Sequence, residues 1–425
     1  MVEGPESIRR RASSILLVLT AINFVNYLDR QVVYAVLEPM GQELGASDAQ
    51  SGLLATVFLV AYMVASPLVG PLGDRLPRKH IIAASVAVWS LGTVGSGLAP
   101  DYATLFGTRV VVGIGEAGFA AVAPTVIADL FRPARRGRML AYFYLATPMG
   151  SALGYLLGGV IAEDYGWRAA FFVAGGPGLV LAGLAVLLPE PRRGGMDEEP
   201  AEQPGTDMDR RPLGAVLRRL ARSPAWRLNT AATTLMTFAL GGLAAWMPTF
   251  LQRAHGLSVG EAGTGFGGVT VVAGLIGTLL GGALGDRAQA KSAGGYFRVS
   301  GLGLLLGGPF LAMVPLMPTA TLVFMVAFVA EMLLFFNTGP LNAALVACVP
   351  ASIRSQAVAV NVFVIHALGD AISPPLMGLV SEQWSLDLAV GLMVVPVVVG
   401  GGLLLYGAQR VARLPRGLLA VDGEG

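Results

Sequence analysis

The sequence predicts an all-α polytopic membrane protein whose twelve transmembrane helices form two six-helix halves. Three observations predict it. Hydrophobic residues fill 54% of the 425 positions while charged residues fill 13%. Twelve separate apolar segments reach the ~20 residues that a spanning helix needs. A short motif also recurs: G-P-L-G-D-R at 70–75 returns as G-A-L-G-D-R at 282–287, each closing the second span of its half. Such a repeat marks a fold of two related bundles with a site between them.

The spans are read at 15–38, 50–73, 79–98, 103–129, 138–162, 168–188, 228–252, 262–286, 296–316, 320–347, 355–380 and 386–408. They set an N-terminal half at 1–188, a linker at 189–227 and a C-terminal half at 228–425. The 57 glycines and 26 prolines suit closely packed, locally bent membrane helices. The opening M-V-E-G-P-E-S-I-R-R-R resembles the charged head of a signal peptide, but the run behind it carries Asp29 and Arg30 and no small-residue cleavage site. We read it as a retained first span.

Arginine and lysine fix the orientation. The runs at 9–11, 75–79, 132–138 and 192–227 fall on one side with Arg287, Lys291, Arg298, Arg354 and the tail arginines, whereas the opposite loops offer Arg168 and Arg253. By the positive-inside rule both termini are cytoplasmic, in a multi-pass protein of the cell's inner membrane. The linker, with M-D-E-E-P-A-E and R-R-P-L-G-A-V-L-R-R, reads as a solvated connector with one surface helix. Cys348 is the single cysteine, so there is no internal disulfide and no thiol-based metal site. A net charge of +2, without a basic stripe, excludes a nucleic-acid partner. No Ser/His/Asp constellation, metal-ligand cluster or G-x-x-x-x-G-K-[ST] loop occurs, so no cofactor, metal or enzyme activity is expected.

Several motifs resemble those of the major facilitator superfamily. G-P-L-G-D-R-L-P-R-K at 70–79 matches its signature loop, with Pro77 where glycine is usual, R-V-V-V-G-I-G at 109–115 resembles its helix-four motif, and G-W-R-A-A-F at 166–171 is also typical. Within it the chain is similar to the spinster-type lipid transporters, through N-Y-L-D-R at 26–30, G-I-G-E-A at 113–117, A-P-T-V-I-A-D-L-F at 123–131 and Y-F-Y-L-A-T-P-M-G-S-A-L-G-Y at 142–155. N-Y-x-D-R and a helix-four Glu also occur in organic anion:proton symporters, so those two alone do not decide; the 123–155 stretch favours the spinster type, which implies a proton-coupled, alternating-access transporter of a lysophospholipid or related phosphorylated single-chain lipid, with a small-organic-anion symporter as the runner-up. The resemblance implies a monomeric carrier with a lipid or organic-anion substrate, protons and membrane lipids as its partners.

The ionisable residues inside the spans define the candidate site. Span one enters from the cytoplasm near Ile15, which puts Asp29 ~21 Å deep at 1.5 Å per residue. Span four enters from the other face, which puts Arg109 at a matching ~21 Å from the cytoplasm in a ~30 Å core. Asp29 and Arg109 therefore match in height and sign, either as a tie between helices or as part of a site. Glu116 lies two turns along the same face and Arg30 can reach it. A carboxylate among cations and apolar walls switches readily between charged and neutral, so Glu116 and Asp29 are the proton-coupling candidates. Arg30 and Arg109 are the anion-binding ones.

Tyr27, Tyr34, Phe143 and Tyr144 are candidates to line an apolar chamber or simply to pack. In the second half Glu331 and the His366/Asp370 pair are the polar candidates for substrate contact, with a helix break near Pro374–Pro375 as the alternative role of Asp370. Asp74, Arg75, Arg78 and Asp286 are expected in cytoplasmic loops as a gating latch between the halves.

Overall fold

The computed structural model describes residues 5–192, 213–349 and 353–412. The acidic stretch of the linker, Arg413 and Arg416 of the tail, and the side chains of Asp74 and Arg75 lie outside the described residues. The described chain is helical without strands, and twelve spans are long and apolar enough to cross a membrane. Large apolar side chains stand open on them: Leu17 is 70%, Val64 64% and Leu187 77% exposed. Contiguous apolar surface of this kind is the mark of a face that meets lipid.

Two compact units are present, Met1–Glu202 with Gly256–Gly267, and Gln203–His255 with Gly268–Gly425. The first contains α1 (Pro5–Ala35), α2 (Leu37–Leu44), α3 (Asp48–Arg75), α4 (Arg78–Gly97), α5 (Tyr102–Leu130), α6 (Pro133–Tyr165) and α7 (Trp167–Leu187). α1 packs along α6, α3 along α5, and α4 along both α5 and α7. Local chemistry sets the boundaries. The Asp101 carboxylate accepts the Thr104 N–H at 2.8 Å and caps α5, and Gly45 ends α2 with φ 63°, a left-handed conformation that costs glycine little. Trp89, Phe119, Val122, Val126 and Phe143 form the buried core between α4, α5 and α6.

Ion pairs close this unit at both ends of α4. Arg78, its first residue, is 4% exposed and donates to Asp129 at 2.5 Å, Glu190 at 3.2 Å and the Pro191 carbonyl at 3.1 Å. Arg78 clamps the ends of α4, α5 and the segment after α7 within one unit, because its fork of donors finds three acceptors there. The four residues expected in loops lie in helices instead, since Asp74 and Arg75 end α3 and Arg78 begins α4, while Asp286 lies in the helix Val259–Lys291 and accepts from the Tyr296 hydroxyl at 3.0 Å. At the far end the G-W-R motif is explained by Glu43, which accepts from Trp167 Nε1 at 2.7 Å and from Arg168. Arg168 also donates to the Ala99 carbonyl at 3.1 Å.

These carboxylates make acid stability testable. Partial burial pushes the Glu190 carboxyl up, but N–H bonds from Lys79 and Arg78 and the Arg78 charge outweigh it and hold the group below its ordinary value. Glu43 is held down by its bond from Arg168 and then by that from Trp167. A depressed carboxylate stabilises above its unfolded value, ~4.3 for Glu, and that contribution is lost as pH falls through the folded one. Glu190→Gln should thus lower the melting temperature at neutral pH and flatten the acid limb of a melting-temperature-versus-pH curve. An unchanged acid limb would contradict the clamp.

The second unit contains α8 (Leu213–Arg222), α9 (Pro224–His255), most of α10 (Val259–Lys291), α11 (Gly295–Met313), α12 (Ala320–Phe335), α13 (Thr338–Ala347), α14 (Arg354–Ile365), α15 (Ser373–Gln383), α16 (Leu386–Leu392) and α17 (Val394–Ala412). α11 packs on α12 and α17, and α17 on α9. α8 is the surface helix expected in the linker, docked through Val216 and Leu220 onto Trp226, Leu345 and Val349.

Predicted spans are interrupted at Met393 between α16 and α17, at Asn337, and near Pro374–Pro375, where a break was expected. Between α12 and α13 the Asn337 side-chain amide bonds back to the Leu334 carbonyl, competing with the helical pattern. Between α14 and α15 the chain forms a π turn over His366–Asp370, and Pro374 and Pro375, which lack N–H groups, sit in the first turn of α15.

Candidate functional site

The residues brought together in the first unit lie on four helices. The R-V-V-V-G-I-G stretch explains how α5 comes so close to its neighbours. A methyl group on Gly113 would meet Ala61 Cβ at 2.9 Å, and one on Gly115 would stand 2.5 Å from the Trp89 backbone nitrogen. Only glycine lets α3 and α4 approach here. Arg109 and Glu116, two turns apart on α5, are thereby held against α1.

Asp29 and Arg109 face each other in the depth-matched register. Both are 1% exposed, and Arg109 Nη1 lies 3.5 Å from Asp29 Oδ1. That distance is too long for a good hydrogen bond, and no nitrogen of the Arg109 guanidinium completes one. The pair is a Coulombic contact between buried ions. The other Asp29 oxygen is better served: Thr93 Oγ1 lies 2.6 Å from Oδ2 and 3.0 Å from the Trp89 carbonyl, one hydroxyl proton for two acceptors.

Arg30 and Glu116 form the tighter pair. Arg30 Nε donates to Glu116 Oε2 at 2.7 Å and Nη2 lies 2.6 Å from the same oxygen. Both arms converge on one atom, and the second oxygen, Oε1, is buried without a hydrogen-bond partner. Exposure is uneven: the Arg30 side chain is 18% exposed and that of Glu116 1%. Three rings surround the guanidinium, with Arg30 Cζ 5.0 Å from the Tyr27 ring centre, 5.5 Å from Phe58 and 5.4 Å from Tyr62. Such faces attract cations, so the guanidinium keeps its place if its carboxylate lets go.

The aromatic expectations divide. Tyr27 belongs to the site. Tyr34 is partly buried and tilts against Tyr155, with ring centres 6.4 Å apart. Phe143 takes the packing role, for at 2% exposure it is packed in the core against Phe119, and its carbonyl accepts from Asn23 Nδ2 at 3.0 Å. Tyr144 stands edge-on to Phe143 and is 51% exposed.

Phe58, Tyr62 and Thr93 are site residues that the sequence reading missed. The four-residue spacing in F-L-V-A-Y puts both rings on one face of α3, a signal that was available; Thr93 carried none.

Glu331, His366 and Asp370 belong to the second unit. His366 Nδ1 lies 3.0 Å from each Asp370 oxygen, across the π turn. Glu331 is buried in α12, and one of its oxygens lacks a hydrogen-bond partner.

Twelve apolar spans with ion pairs buried among them define a membrane transporter rather than an inert bundle. Residues 19–374 match the family model described as Major Facilitator Superfamily. Protein spinster homolog 1 of Xenopus tropicalis is 34% identical over 450 residues, covering 97% of this chain and 85% of that protein. The human protein of the same name is 36% identical over 392 residues, with 88% and 74% covered. In three dimensions the chain is similar to the crystal structure of a bacterial homologue of the human lysosomal transporter Spinster, with a TM-score of 0.86 at 24% identity, covering 95% of this chain and 99% of that one. A D-xylose–proton symporter shares the fold at a TM-score of 0.70 and 16% identity, with 96% and 98% covered. The chain belongs to the Major Facilitator Superfamily and, within it, to the spinster family.

Proposed function

We propose that the protein moves a lysophospholipid, or a related phosphorylated single-chain lipid, by alternating access coupled to protons. The observation that carries the reading is the Arg30–Glu116 pair: a partly open guanidinium held on one oxygen of a fully buried carboxylate. Protonation of Glu116 neutralises it and frees the Arg30 fork for a phosphate. Deprotonation reverses the exchange. Two anions competing for one guanidinium suffice, because a bidentate Arg–phosphate contact and the Arg–carboxylate contact have similar strength. The positive loops support cytoplasmic termini in the inner membrane.

Apolar surface beside the charges supports a lipid over a sugar acid. An open apolar groove of about 430 Å³ runs along α3 and α5, lined by Val57, Val60, Val64, Leu68, Val110 and Ile114; it takes in the lipid-facing Val64 and lies on the same helix as the Phe58 and Tyr62 rings beside Arg30. Aliphatic walls leave sugar hydroxyls unpaired, at ~1–3 kcal/mol each, whereas every buried methylene of an acyl chain gains ~0.8 kcal/mol. In proteoliposomes, competition by lysolipids should strengthen as the acyl chain lengthens, and Arg30→Ala should weaken phosphate-bearing lipids more than fatty alcohols. Indifference to chain length, together with saturable uptake of a sugar acid, would transfer the assignment to an organic-anion symporter.

A further inference from the structure

α12 carries a single ionisable residue, Glu331, and places it on its buried stripe with Val323, Ala327, Ala330 and Leu334. The helix is gripped on two sides. A methyl on Gly303 of α11 would lie 2.8 Å from the Leu333 carbonyl, and one on Gly277 of α10 would stand 2.9 Å from Phe335 Cβ. The Thr270 side chain bears on Glu331, yet neither the Thr270 hydroxyl nor Glu331 Oε2 completes a hydrogen bond.

No cation answers the carboxyl group. The ionisable residues on the helices packed around α12 are Arg227, Arg253 and His255 of α9, Glu261, Asp286, Arg287 and Lys291 of α10, and Tyr296 and Arg298 of α11. All lie within the first or last six residues of their helices, and among the described residues none acts on Glu331. Asp29 and Glu116 each face an arginine; the one side chain that acts on Glu331 among the described residues is that of Thr270. An ionised carboxylate buried without a partner is not a stable arrangement, and such a group takes up a proton.

We propose that Glu331 is a second proton-binding site, separate from Glu116, and that its proton is carried in the transport cycle. The ligand is a proton taken from water on one side and returned to water on the other. The carrying step rests on the proton-coupled reading above, whereas the binding step does not.

The test has two arms. In the infrared difference spectrum of purified full-length protein at pH 7, wild type minus Glu331→Gln should show the carbonyl band of a protonated carboxylic acid and no carboxylate bands, with Glu331→Leu as the reference if the Gln variant does not fold. In proteoliposomes, one proton fewer per cycle means that accumulation of a lysophospholipid per unit of pH gradient should fall about tenfold in the same variant. Carboxylate bands in the difference spectrum would overturn the binding site, whatever the substrate proves to be. A protonated signal with unchanged accumulation would overturn the carried proton while leaving the Glu116 reading intact.

Discussion

Asp29→Asn and Arg109→Gln are each expected to destabilise the protein by about 3–5 kcal/mol, and the double variant is expected to recover much of the loss. The asymmetry follows from burial. Both side chains are 1% exposed, so removing one partner leaves the other buried without its counter-charge and with no water to turn to. Removing both takes away the desolvation cost together with the attraction. The 3.5 Å separation sharpens the expectation, because a contact without hydrogen bonds gains little beyond the Coulomb term, and the double variant loses little that was directional. Thr93 adds a condition: its hydroxyl sits 2.6 Å from Asp29, where an asparagine could still offer its carbonyl oxygen. Asp29→Asn should nonetheless be the more damaging single change, because the Arg109 guanidinium it leaves behind cannot give up its charge, whereas the Asp29 left by Arg109→Gln can take up a proton. Thermal or denaturant unfolding of the three variants in detergent measures this directly. Strictly additive losses would mean that the two residues do not interact.

Glu116→Gln is expected to abolish accumulation driven by a pH gradient while leaving exchange of substrate across the membrane measurable. Gln cannot release a proton, so it holds the site in the neutral condition in which Arg30 is free. Its carbonyl can still accept from Arg30, but without the charge that makes the native contact strong. Substrate should then bind at alkaline pH as well as it does at acid pH. Pairing uptake under a pH gradient with counterflow in its absence separates the two. Retention of gradient-driven accumulation by this variant would remove Glu116 from the coupling role.

Much of this site was legible in the sequence because a membrane helix converts residue number into depth. Rise per residue is enough to level Asp29 with Arg109, and the seven-residue step to Glu116 keeps it on the same face. Similarly, the repeated G-x-L-G-D-R motif marks corresponding positions in each half. What remained hidden depends on contacts across the chain. Arg78, within the signature motif, was expected in a gating latch; the acceptors it finds in its own unit, Asp129 and Glu190, are remote in sequence, and neither carries a local signal of that pairing. Phe143 has the same character as Tyr27 in a one-dimensional reading, and only packing shows that one ring fills the core while the other lies beside Arg30. The break at Asn337 was likewise invisible, since it arises from one amide turning back onto its own helix. The prolines at 374–375 did foretell a break, but not the π turn that aligns His366 with Asp370.

The competition of substrate and Glu116 for one guanidinium is the core of the account, and the protons exchanged on binding test it most directly. Isothermal titration of a lysophospholipid into the purified protein, in buffers of differing ionisation enthalpy, counts those protons at a fixed pH. At a pH where Glu116 is ionised in the free protein, wild type should take up about one proton per lipid bound, as the phosphate displaces the carboxylate and the carboxylate is neutralised. Glu116→Gln should bind with about one proton fewer. Binding by the wild type with no proton uptake across the accessible pH range, or an uptake that Glu116→Gln leaves unchanged, would contradict it.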